Sequence, residues 1–123
     1  MRELNSHLGS GLNCALKIIA SDRVGAGGAC LVYRITGCVS DDDGAVDVTL
    51  AFQDGPIAMR GINGISNEAL LAIVEDRLAG FQMGPFSCEE NGVALWHIQR
   101  AIGTLHARTE DRAARGVEGA LVK

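Results

Sequence analysis

The sequence predicts an α+β fold: a small antiparallel sheet of three to four strands, then an antiparallel two-helix hairpin. Two observations carry this. Between residues 12 and 52, three apolar or alternating stretches are separated by short turn clusters, which implies a meander. Beyond residue 61, two helix-period segments meet at Gly84-Pro85, a dipeptide that cannot continue a helix. The 123 residues read as a single domain, 1–60 mainly sheet and 61–119 hairpin.

Taken in order, residues 1–10 are polar and read as a poorly ordered start. Leu12 to Ala20 has partial alternation and reads as the first strand. Ser21 to Gly28 is a turn cluster. Its Gly25-Ala26-Gly27-Gly28 lacks the ending of a P-loop and the order of a Rossmann turn, so it reads as a hairpin loop. Ala29 to Cys38 is β-branched and aromatic enough for a second strand. Ser40-Asp41-Asp42-Asp43-Gly44 is a turn that lacks the spaced ligands of a calcium loop. Val46 to Phe52 alternates strictly and is the clearest strand, and Ile57-Ala58-Met59 adds a short extended piece. A small sheet with one apolar face needs a cover, and the helices that follow are the candidates.

Ser66 or Asn67 can cap the first hairpin helix, with Glu68 complementing its dipole. Leu70, Val74, Leu78 and Phe81 lie on one stripe, flanked by Leu71 and Ile73; Glu75, Asp76 and Arg77 form a wet face. Ser87-Cys88-Glu89-Glu90 reads as a capping box opening the second helix. There Leu95, Ile98, Ile102 and Leu105 make a seam toward the first helix, while Trp96 and Gly103 share another face.

Composition excludes several classes. Apolar residues make up 47%, charged residues 21%, and the formal net charge is −4, a poor match to a DNA- or RNA-polymer binder. No apolar run approaches the roughly 20 residues of a membrane helix, and no apolar core follows the polar N-terminus as in a signal peptide. A cytoplasmic protein is expected. Cys14, Cys30, Cys38 and Cys88 form no Cys-x-x-Cys pair and read as reduced, mostly buried thiols; no metal site and no catalytic constellation is expected.

Two clusters could hold an anionic ligand with a flat base. Phe81, beside the turn, and Asn91, near the start of the second helix, place an aromatic and an amide at a helix N-terminus. Spacing alone favours Phe81 as a last core residue and Asn91 as a solvated one. Arg108, Arg112 and Arg115 share a face at i, i+4, i+7 and could clamp a pyrophosphate; the same residues could complement the helix dipole, with Asp111 pairing Arg108 or Arg115.

Three stretches are specific in wording and order: Gly61-Ile62-Asn63-Gly64-Ile65-Ser66-Asn67-Glu68-Ala69-Leu70-Leu71, Gly84-Pro85-Phe86-Ser87-Cys88-Glu89-Glu90-Asn91, and Arg112-Ala113-Ala114-Arg115-Gly116-Val117-Glu118-Gly119. With them the chain resembles the first Thoeris anti-defence family of bacteriophages, densely over residues 55–119 and loosely over 8–54. The resemblance implies an α+β protomer acting in the host bacterial cytoplasm as a homo-oligomer, a dimer or a hexamer. It implies a sponge that binds, without cleaving, cyclic ADP-ribose isomers made by bacterial TIR proteins, with no cofactor and no membrane. The hairpin is shared with sponges for CBASS cyclic oligonucleotides, and some members take cyclic trinucleotides at a second site. The matched motifs give Phe81 the role of stacking on adenine, Asn91 that of hydrogen bonding and Arg108 that of holding phosphate, with Arg112 and Arg115 in support. Arg23 and Arg60, on loops, are additional phosphate candidates by charge alone. A hydrolase degrading a cyclic nucleotide signal is the alternative from another class, and an assembly scaffold built on the Trp96 face is a third.

Overall fold

The structure is a computed structural model that describes residues 1–40 and 44–116. The chain divides into two compact units, Met1–Gly64 and a second beginning at Ile65. The acidic run Asp41-Asp42-Asp43 lies outside the described residues.

The first unit is a four-stranded antiparallel sheet in the order β1-β2-β3-β4: β1 Arg2–Leu4, β2 Lys17–Ala20, β3 Val32–Ser40 and β4 Gly44–Ala51. The extra strand comes from the N-terminal stretch that composition assigns to a poorly ordered start. Its Arg2, Glu3 and Leu4 pair with Ala20, Ile19 and Ile18. Three residues carry too little alternation to register as a strand, and a partner edge supplies what the pattern lacks. The register separates the faces cleanly. Ile18 sits opposite Ile35, which sits opposite Val48; Ala20 opposes Tyr33, which opposes Leu50. With period two, these residues share one face with Leu4, and Tyr33 meets Phe52 edge to face at 5.7 Å between ring centroids. Ala20 and Leu31 are buried there. The opposite face carries Lys17, Arg34, Thr36, Asp47 and Thr49.

On that polar face Arg34 grips Asp47 with two bonds, 2.9 Å from Nε and 2.7 Å from Nη2. The guanidinium holds the Asp47 carboxyl below the usual carboxylate range, and Asp47 in turn raises Arg34. Both are exposed, so the pair fixes register more than it stabilises.

Two further segments differ from the sequence pattern. Leu12–Ala15, read above as the start of a strand, forms a single helical turn, α1, and Leu16 then leads into β2. The Leu16 side chain lies over Gly37, whose missing Cβ leaves room for it, and the His7 ring bonds the Leu16 carbonyl at 2.6 Å. Ile57–Arg60, read as extended, is also a helical turn, α2. Pro56, with φ of −66°, presets its entry, and Gly61, with φ of +69°, ends it. The Gly25–Gly28 loop is a hairpin connection, as its sequence predicts: Val24 bridges Cys30, and the Gly25 N–H donates to the Ala29 carbonyl at 2.9 Å.

A polar knot closes the first unit. The Gln53 amide donates to the carbonyls of Gly55 and Gly61 and accepts from the N–H of Asn63. The Asn63 amide in turn accepts from the N–H of Asp54 at 2.8 Å and donates to its carbonyl at 2.9 Å. Side chains thereby satisfy backbone groups that a strand partner would otherwise take.

The second unit is the helical hairpin: α3 Asn67–Gln82 and α4 Glu89–Ala114. Ser66 caps α3, its hydroxyl accepting from the Ala69 N–H at 3.1 Å. Leu71, Leu78 and Gln82 are half-buried on α3; Leu95, Ile98, Ile102 and Leu105, the predicted seam, are half-buried on α4. The expected stripe of α3 holds at Leu70 and Leu78, both half-buried, and fails elsewhere. Val74, Ile73 and Phe81 stay exposed, while Glu75, expected on the wet face, is half-buried. The helix is apolar over a wider arc than one neighbouring helix covers. α4 ends where Gly116 takes φ of +73°, and Arg115 is its C-cap.

Candidate functional site

The hairpin tip is built by a side-chain clamp. The Gln82 amide donates to the Cys88 carbonyl and accepts from the Cys88 N–H, both at 3.0 Å. This moves the helix start. The predicted capping box puts the cap at Ser87, but Cys88 is the N-cap, and its Sγ accepts from the Asn91 N–H at 3.5 Å. The Gln82 amide holds the Cys88 backbone through both its N–H and its carbonyl, and the helix begins one residue later than the Ser87–Glu90 pair predicts. A thiol is a weaker acceptor than a hydroxyl, and the clamp compensates. Cys88 and Cys14 are exposed and Cys30 half-buried, contrary to the expectation of mostly buried thiols.

Phe81 lies in the last turn of α3, beside the hairpin turn as expected, and is 44% exposed. One turn earlier on α3, Arg77 places its guanidinium carbon 5.8 Å from the Phe81 ring centroid. Phe81, Arg77, Gly80, Gly84, Pro85 and Phe86 line an open cleft of about 340 Å³. Apart from the guanidinium the walls are aromatic, aliphatic or bare backbone. Asn91 is half-buried in the first turn of α4, at the same end of the hairpin.

The arginine run is elsewhere. From Asn91 to Arg108 the helix rises about 25 Å at 1.5 Å per residue, so Phe81 and Arg108 of one copy are at opposite ends of the hairpin. Arg108 is exposed, with no partner among the described residues. Arg115 pairs with Asp111 at 3.0 Å, one of the two pairings the sequence allows. Arg112 is only 7% exposed and engaged. Arg23 and Arg60 belong to the first unit. They converge on one carboxylate oxygen of Asp54, at 2.6 and 3.2 Å. Two guanidiniums around one carboxylate leave that loop cluster net positive.

Sequence reading missed Arg77 and Gln82. The i, i+4 spacing of Arg77 to Phe81 is a detectable signal, since such pairs meet on a helix surface. Gln82 has none, because its bonds depend on the turn geometry. His97 and His106 are exposed on α4, and His97 packs edge-on against Trp96 at 4.9 Å. Among the described residues no group of three His, Cys, Asp or Glu could hold a metal, and no helix is long and apolar enough to cross a membrane.

The Acb2/Tad1 hairpin domain model matches residues 46–110, more than half of the chain. This chain belongs to the Acb2/Tad1 hairpin family. Thoeris anti-defense 1 of Bacillus phage SBSphiJ7 is 45% identical over 71 residues, 58% of this chain and 50% of that protein. The chain thus spans about half the length of that curated relative. As an Acb2/Tad1 hairpin protein it keeps the α+β plan expected of it, with the strands preceding the hairpin.

Proposed function

We propose that this protein is a phage anti-defence sponge. It binds and sequesters, without cleaving, cyclic ADP-ribose isomers made by bacterial TIR proteins, and so blocks Thoeris immunity in the host cytoplasm. The observation that carries the reading is the exposed Phe81 over its cleft, on a hairpin whose basic end lies about 25 Å away. A flat base stacks on Phe81, Asn91 hydrogen-bonds, and Arg108 holds phosphate, with Arg112 and Arg115 in support. No single hairpin can present Phe81 and Arg108 to one small ligand. Two copies running antiparallel can, so the pocket forms between subunits of a homo-oligomer, a dimer or a hexamer. Enclosure between subunits also supplies the buried surface that tight binding of a small dianion needs. Arg23 and Arg60 are additional phosphate contacts, and CBASS cyclic trinucleotides are candidate ligands for a second site. The name of the phage relative supports the anti-defence role.

The test is recovery. The protein, in excess, is mixed with a cyclic ADP-ribose isomer, filtered, then heat-denatured, and the supernatant is analysed by HPLC. The sponge removes the ligand from the filtrate and returns it intact on heating. A linear product instead makes the protein a hydrolase. A ligand never retained overturns the assignment.

A further inference from the structure

We propose that Arg77 is a ligand-recognition residue, reading a negative charge next to the ring stacked on Phe81. Each hairpin tip then contributes, from one copy, both the stacking ring and a charge-reading guanidinium to the pocket formed between subunits. The inference rests on the sponge reading and extends it to a residue outside the arginine run.

Three features support it. The Arg77 guanidinium stands 5.8 Å from the Phe81 centroid, at the outer limit of a cation–π contact, so it is near the ring without being committed to it. No carboxylate pairs with it among the described residues, although Asp76 and Glu75 adjoin it in sequence, so its donors remain available to an anion. The rest of the cleft, Gly80, Phe81, Gly84, Pro85 and Phe86, offers no competing charge, and a Cβ at Gly80 would meet nothing within 4 Å. The floor is open and the walls are apolar, so among the described residues Arg77 is the one charge an anion in the cleft would meet. A base on Phe81 would place its own phosphate about one ribose away, a reach that the arginine stem one helical turn off can match. The exposed position of Arg77 means its replacement removes no core packing.

The wild type, Arg77→Gln, Arg77→Lys and Phe81→Ala are titrated with a cyclic ADP-ribose isomer by calorimetry at low and raised salt, with melting temperature and oligomeric state followed alongside. Arg77→Gln is expected to weaken binding about tenfold or more and to flatten the salt dependence, with melting and assembly unchanged. Arg77→Lys is expected to restore the salt dependence while recovering only part of the affinity. Wild-type affinity in Arg77→Gln, with Phe81→Ala impaired, overturns the role of Arg77 and leaves the sponge standing. Weakened binding with an unchanged salt dependence, and Lys no better than Gln, also overturns it, because Arg77 then acts only by positioning the ring. Failure of the wild type to bind removes the sponge reading and this inference together.

Discussion

Replacing Arg108 with alanine is expected to weaken cyclic ADP-ribose binding about a hundredfold or more, with the oligomer intact. Arg108 is exposed and unpaired among the described residues, so the fold asks nothing of its guanidinium. In an enclosed pocket, its loss strands a phosphate without its counter-charge. Truncating one member of a desolvated charge pair costs about 2–5 kcal/mol, and each 1.4 kcal/mol is tenfold in Kd. Calorimetry and size-exclusion chromatography check both parts. Full affinity in the variant removes Arg108 from the site. Arg112→Ala does not give so clean a result, because Arg112 is buried and engaged and its loss disturbs packing as well as charge.

Gly64→Ala is expected to be the most damaging single substitution for stability. A Cβ there would lie 2.4 Å from the Phe52 carbonyl carbon, 2.5 Å from its oxygen and 2.6 Å from the Gln53 nitrogen. All three are backbone atoms next to the polar knot that Gln53 and Asn63 hold together. No rotamer relieves such a clash; the chain itself must move and break those bonds. The cost is about 3 kcal/mol or more, a fall in melting temperature on the order of 10 °C. Thermal denaturation measures it. By contrast, Gly80→Ala and Gly103→Ala place a Cβ in open space inside helices, so a raised melt for them alongside a loss for Gly64→Ala isolates the steric cause.

What the sequence made legible follows from how local each signal is. Val46 to Phe52 alternates without a break, and β4 spans Gly44–Ala51. Ser66 has the residue type and place of an N-cap and is one. The strand Arg2–Leu4 was hidden because its pairing with β2 is a tertiary fact. Period alone cannot separate the α1 turn from the strand after it, because Leu12–Ala15 continues into the same apolar run. At the tip, Phe81 and Asn91 stood out as residues odd for their positions. The Gln82 clamp did not, because the whole turn, residues 83–87, separates it from Cys88. The resulting shift of the N-cap from Ser87 to Cys88 followed from that unseen contact.

The length of α4 has a consequence for inheritance of the trait. If aromatic and basic ends come from different copies, a subunit lacking Phe81 and a subunit lacking Arg108 fail in complementary halves of the pocket. A mixed pair would combine both defects in one of its two pockets and leave the other with a full set of side chains. Two phage alleles, each inert alone, would therefore rescue one another in a co-infected cell, at up to half the capacity per mixed pair.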